Sequence, residues 1–217
     1  MDLFAERPPV TEPAKVDQTL FLRVIWSGVI VSLAFLGIRL FARWKSFKKL
    51  FLDDGFVIFA WLLALLTAID WQIVAKFMYQ FMAITSGRLW PPPATFVADT
   101  ERYYKGSVIV LVFFYTGLWA VKFSFLLFFK RLGQNVARQK VLWWCVFGFT
   151  VATYLVCLGD IQYSCLAAPL ATLEMHCSTD SAVHYQRVTL AFNCAVDVVT
   201  DYISMSILCQ SPELIDI

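Results

Sequence analysis

Charge is scarce in this chain. Asp, Glu, Lys and Arg make up 16% of its residues, against about 25% in an ordinary soluble domain, so a globule of this composition would lack the polar surface that water requires. Other features are missing outright. The six cysteines, Cys145, Cys157, Cys165, Cys177, Cys194 and Cys209, contain no CxxC pair, which removes the usual zinc modules and thioredoxin-like chemistry. There is no Gly-rich phosphate loop, no HExxH and no GxSxG, and with them go the commonest enzyme classes recognisable from short motifs. Nothing reads as an enzyme. A net charge of +2 makes no case for a nucleic-acid partner. No secretory leader is expected either: Met1 to Gln18 holds Asp2, Glu6, Arg7, Glu12, Lys15 and Asp17 with three prolines and no apolar h-region. Residues 1–19 read as a polar tail, and the first apolar run must act as both signal and anchor.

What the chain has instead is hydrocarbon. Hydrophobic residues account for 59% of it, and the mean hydropathy is +0.66. A helical span needs ~20 predominantly apolar residues, and five stretches qualify: about Leu20 to Leu40, Asp53-Asp54-Gly55 onward to about Phe81, Tyr103 to Phe129, Val141 to Ile161, and Val183 to Cys209. The later part of the second carries Asp70, Gln72 and Lys76, so it is expected to outrun the bilayer or to face protein. Trp90-Pro91-Pro92-Pro93 stops any helix, because three successive residues lack an amide donor. Five such runs in 217 residues argue against core helices of a soluble protein. The expected fold is all-α, a polytopic transmembrane bundle with its helical domain at 20–209 and a short tail at 210–217.

The connections give the orientation. The first holds Arg39, Arg43, Lys45, Lys48 and Lys49, and the third holds Lys130, Arg131, Arg138 and Lys140. The second balances Arg88 and Arg102 against Asp99 and Glu101, and the fourth, Gln162 to Ala182, has no Lys or Arg. Basic residues favour the cytoplasmic side. Connections one and three are therefore expected inside, with the N-terminus extracellular and the C-terminal tail cytoplasmic.

Within the spans, Lys122, Asp197 and Asp201 are the deep charges, and each costs several kcal/mol unless it finds a partner or water. Lys122 lies eight residues before Lys130, and Asp201 eight before Cys209. At ~1.5 Å per residue both sit roughly 12 Å inside their helix ends. Their matched depth predicts an ion pair between the third and fifth spans. Asn193, Asp197 and Asp201, spaced by four, share one helix face, which must look at other helices or a wet cavity. Two readings stay open: polar glue between helices, or a ligand or signal relay.

Cys165 and Cys177 fall in the fourth connection, twelve positions apart. On the oxidising outer side a disulfide is expected there, contributing about 3 kcal/mol in the chain-entropy model; two free loop thiols are the alternative. The other four cysteines fall in spans and read as small apolar groups. His176, Cys177 and His184 fit no zinc spacing. Asp53 and Asp54 read as an N-cap and dipole partner for the second span, placed to meet the basic residues of the same connection. Eight tryptophans are spread over the spans and their ends, and several suit an interfacial belt.

These segments resemble the fungal rhodopsin-domain integral membrane proteins. Ile38-Arg39-Leu40-Phe41-Ala42-Arg43 followed by Leu52-Asp53-Asp54 resembles that family's first inner loop, and Val121-Lys122-Phe123-Ser124 through Lys130-Arg131-Leu132 resembles its third-span ending. Cys165, Pro169 and Cys177 resemble its paired-cysteine loop, although the tryptophan common between those cysteines is absent; Phe192-Asn193 with Asp197, Thr200 and Asp201 resembles its fifth-span signature. The resemblance covers about Leu20 to Leu208. It implies a fungal source, a plasma-membrane location and a seven-helix, receptor-like protein, some of whose relatives signal through G proteins. Here the chain runs from its fifth span into Gln210-Ser211-Pro212-Glu213, so a truncated seven-helix type is expected. No retinal or other cofactor is expected, since Lys122 does not hold the seventh-helix position of a Schiff-base lysine. The leading expectation is a receptor-like protein that senses an extracellular ligand. A transporter or channel using the Lys–Asp face is the second, and a truncated product without independent activity the third.

Overall fold

A computed structural model describes residues 16–132, 137–161, 163 and 179–209. Five helices follow one another: α1 Gln18–Phe47, α2 Leu52–Thr85, α3 Phe96–Leu132, α4 Ala137–Gly159 and α5 Asp180–Cys209. No strand occurs among the described residues. Each helix is long and apolar enough to cross a membrane, and the chain is a multi-pass membrane protein. The 37 residues of α3 extend about 55 Å at 1.5 Å per residue, against a hydrocarbon core of ~30 Å, so its ends project well beyond the apolar layer.

Local signals set the ends. The Asp17 carboxylate accepts from Thr19 N at 3.3 Å and from Thr19 Oγ1 at 2.6 Å, capping α1. Those bonds hold its pKa below the ordinary carboxylate value, so this cap is lost as pH falls through the acid range. α1 stops where Lys48 turns left-handed at φ 51°, its N–H reaching Trp44 O at 3.0 Å. α1 therefore runs past Leu40, and Arg39 and Arg43 lie on its last turns rather than in a connection. The N-cap of α2 is Phe51, which corrects the expectation that Asp53 and Asp54 hold that position; they occupy the first turn. α2 ends at Thr85 with Gly87 at φ 69°, so the triple proline lies in the α2–α3 connection and does not itself end the helix.

α1 and α2 run antiparallel, the Tyr79 hydroxyl donating to Val16 O at 2.9 Å. Of the polar groups late in α2, Gln72 reaches another helix, accepting from Trp26 Nε1 at 3.1 Å, whereas Lys76 is exposed, its ammonium 4.6 Å from the ring centre of its neighbour Phe77. The α2–α3 interface is closed by small residues. Ala68 and Ala75 are fully buried, and Gly106 lies so near Val74 that a Cβ there would sit 2.5 Å from Val74 Cγ2. Membrane helices rely on such close backbone approach because lipid removes the hydrophobic drive to associate. Gly106→Leu is accordingly expected to lower the stability of the detergent-solubilised chain by about 1–3 kcal/mol, read as a fall in melting temperature.

The outer surface is inverted relative to a soluble protein. α1 buries only Val29 and Leu36, while Phe35 is 68% and Phe41 70% exposed. Such apolar surface is at home only against lipid or another apolar partner. Residues 1–15, the tail at 210–217, and Cys165, His176 and Cys177 of the fourth connection lie outside the described residues, and so does the expected disulfide.

Candidate functional site

The deep charges meet between α3 and α5. The Lys122 ammonium, 6% exposed, lies 2.7 Å from Asp197 Oδ1 and 2.8 Å from Asp201 Oδ1. It donates hydrogen bonds to Thr200 Oγ1 at 2.6 Å and to the Asp197 carbonyl at 2.8 Å. Thr200 can accept because its own proton goes back to the helix, with Val196 O at 2.9 Å and Asp197 O at 2.8 Å. The Asp197 Oδ1 contact is an ion pair without hydrogen-bond alignment, since that atom has no hydrogen-bond partner among the described residues. The site thus holds one cation against two carboxylates. Asp201 is the more open of these, its side chain 60% exposed, beside a groove of about 480 Å³ walled by Leu118, Val121, Phe125 and Met205.

One turn along α5, toward its N-terminal end, the Asn193 amide is 4% exposed. Its Nδ2 donates to the Tyr115 hydroxyl at 3.1 Å, and its Oδ1 has no partner among the described residues. Asn193 shares the helix face of the two aspartates but is tied to Tyr115 of α3, not to Lys122. Tyr115 belongs to a buried cluster with Trp119, Cys157 and Ile161. Trp119 Nε1 donates to Thr150 O at 3.1 Å, and its ring lies 5.4 Å from the Lys122 ammonium, a cation–π distance. Tyr115 and Asn193 also wall a cavity of about 280 Å³ between α3, the end of α4 and α5, with Asp160 and Tyr185 on its other sides. From this cavity the ring of Tyr115 leads on to Trp119, 6.2 Å between ring centres, and Trp119 to the Lys122 ammonium; among the described residues no hydrogen bond joins Tyr115 or Asn193 to the ion cluster.

A second cluster occupies the basic end of the bundle. Arg43 Nη2 meets Asp53 Oδ2 at 2.7 Å, and Arg39 reaches Asp53 and Asp54 at 3.4 Å each. Both carboxylates are almost completely buried, Asp53 at 4% and Asp54 at 0%. Asp54 Oδ2 also accepts from Phe51 N at 3.2 Å, satisfying an orphan donor of the α2 terminus. α3 joins in through Ser124, which donates to Asp53 O at 2.8 Å and accepts from Arg39 Nη2 at 3.4 Å. Two positions apart on α3, Lys122 binds α5 and Ser124 binds α1 and α2.

No protein-family model, curated protein or solved structure matches the chain.

Of the residues singled out from the sequence, the structure gathers Lys122, Asp197 and Asp201 into one cluster and Arg39, Arg43, Asp53 and Asp54 into another. Tyr115 has no signal in the sequence, and Thr200 and Ser124 enter the sequence reading only as members of the family-like segments, with no role given to them. Thr200 was legible in principle, being seven residues past Asn193 on the same face, and Ser124 is the lone hydroxyl in the run Phe123 to Phe129. The tryptophans corrected most. Trp61, Trp119 and Trp143 donate their ring N–H groups to backbone carbonyls of Val29, Thr150 and Leu126 on neighbouring helices. They staple helices together, whereas Trp44 and Trp144, about three-fifths exposed, remain suited to a belt. Cys157 is buried as a small apolar group, while Cys145 and Cys194 are exposed free thiols. No metal-binding group of His, Cys, Asp and Glu occurs among the described residues.

Proposed function

We propose that this chain is a receptor-like protein of the plasma membrane, of the fungal rhodopsin-domain kind its motifs resemble, with its N-terminus outside and its C-terminus cytoplasmic. It senses a ligand arriving from outside and signals to a G protein at the basic end. The observation that carries this reading is that one helix, α3, joins the α3–α4–α5 cavity through Tyr115, the ion cluster through Lys122 and the second cluster through Ser124. A shift of α3 at the cavity would strain both charge clusters at once, and packed helices respond to such shifts by switching between discrete arrangements. The concentration of Lys and Arg where α1 passes into α2 and α3 into α4, on the helix ends and at Lys48 and Lys49 between the first two, supports the orientation.

The test is basal nucleotide exchange. The full chain reconstituted with a heterotrimeric G protein is expected to raise GTPγS uptake above that of protein-free vesicles, and Lys122→Met is expected to change that rate. Exchange equal to that of empty vesicles contradicts the signalling role. A transport reading is favoured by one observation, the exposure of Asp201 beside an open groove. Proton flux into pyranine-loaded vesicles containing the chain, absent from empty ones, would support it. Vesicles inert in both assays would leave a product without independent activity.

A further inference from the structure

We propose that the cavity between α3, α4 and α5 binds a small organic cation, a protonated amine carried on an apolar or aromatic body. This inference rests on the receptor reading and names the ligand class for the same cavity.

The cavity's volume, about 280 Å³, lies near the lower end of small-molecule sites. Its walls are mostly apolar and aromatic, from Leu111, Tyr115, Ile161, Tyr185 and Leu190. Asp160 is the one charged residue that lines it, and among the described residues no cation pairs with this carboxylate. Between Lys140 and Arg187 the sequence has no Lys or Arg. Arg187 on α5 does not line the cavity. The basic residues at the same end of α3 are engaged on their own helix, Arg102 with Asp99 at 3.2 Å and Lys105 with Glu101 at 3.9 Å. Asp160 is therefore the uncompensated charge of the cavity among the described residues, and a low-dielectric cleft lined by one sign of charge focuses that field on incoming ions of the other.

The other end of the cavity asks for a donor as well. Asn193 gives its Nδ2 to Tyr115, and its Oδ1 is buried without a partner among the described residues, a state that costs stability and that a ligand relieves only if the wall beside Asn193 opens to it. An ammonium supplies up to three donors and a charge, and the rings of Tyr115 and Tyr185 offer faces for its body or for the cation itself. An anion would meet Asp160 with nothing to offset the repulsion. A neutral apolar molecule would leave the Asp160 carboxylate unpaired.

The experiment uses the full chain in nanodiscs and two probes with one skeleton, phenethylamine and 2-phenylethanol, followed by ligand-observed NMR. Phenethylamine is expected to bind at least about tenfold more tightly than the alcohol, the scale of one charge-assisted hydrogen bond. Asp160→Asn should erase that preference. The variant is expected to fold, because the carboxylate makes no hydrogen bond or ion pair among the described residues. Leu190→Trp, which enlarges a side chain of the cavity wall, should abolish binding of both probes. Equal binding of the two, lost in Leu190→Trp, overturns the cation class and leaves the cavity as the ligand site. No binding of either probe, or binding indifferent to Leu190→Trp, overturns the ligand class and the cavity reading together. An amine preference that survives in Asp160→Asn also overturns the proposal.

Discussion

Lys122→Met is expected to cost the chain about 3–5 kcal/mol, the usual penalty for removing one partner of a buried ion pair, and to deplete folded protein from the membrane. The ammonium is the only cation in contact with Asp197 and Asp201 among the described residues. Without it two carboxylates one helical turn apart face each other at membrane depth, and Thr200 and the Asp197 carbonyl lose a donor. The cheap escape, protonation of a carboxylate, is itself paid for in stability at neutral pH. Neutralising the residue left behind should reverse most of the loss. The triple variant Lys122→Met, Asp197→Asn, Asp201→Asn is expected to melt near the parent, since a neutral site of similar shape carries no unpaired charge. Exchanging Lys122 with Asp201 should restore less, because Asp197 would then face a carboxylate. Thermal unfolding in detergent, followed by tryptophan fluorescence, reads all of these. If Lys122→Met melts with the parent, or the triple variant melts no higher than the single one, the ion cluster does not hold α3 to α5.

The second large effect belongs to the basic end. Asp54→Ala is expected to destabilise by about 3–5 kcal/mol. It leaves Arg39 and Arg43 sharing Asp53 alone and removes the acceptor of Phe51 N–H. It also deletes an acidic group from the first turn of α2, where the helix dipole favours negative charge. Asp54→Asn keeps an acceptor for Phe51 and should fall between parent and Asp54→Ala. Lys45→Ala, on a surface charge of the same end, should stay within about 0.5 kcal/mol of the parent. Equilibrium unfolding of the three variants ranks them; parity of Asp54→Ala with Lys45→Ala would show that the cluster contributes nothing.

Lys122 illustrates what could be read in advance. Depth follows from counting residues, so its pairing with Asp201 could be expected from spacing alone, and the structure places the two 2.8 Å apart. That Asp197 and Thr200 share the same ammonium depends on the rotation of α5 about its axis, which residue counting does not set. The five spans were legible because apolar runs have a minimum length, yet their ends were not. Arg39 and Arg43 looked like connection residues because hydropathy falls there, whereas the backbone hydrogen bonding of α1 continues to Phe47. Asp53 and Asp54 looked like a cap because an acid before an apolar run usually is one; their near-complete burial comes from the arginines of α1 and from Ser124, partners fixed only by helix packing. Tryptophans invite an interfacial reading from composition, but Trp119 and Trp143 are buried through single hydrogen bonds to carbonyls on other helices, contacts with no local signature. The cavity between α3, α4 and α5 was invisible for the same reason: its walls come from three helices.

Epitope accessibility in intact cells tests the membrane arrangement most directly. One tag is placed ahead of Asp17, and another is inserted between Lys48 and Lys49 in the α1–α2 connection. Threading with the N-terminus outside predicts antibody binding to the first tag on intact cells and to the second only after permeabilisation. Labelling of the second tag on intact cells, shielding of the first, or recovery of the chain as a monodisperse species in buffer without detergent would contradict it.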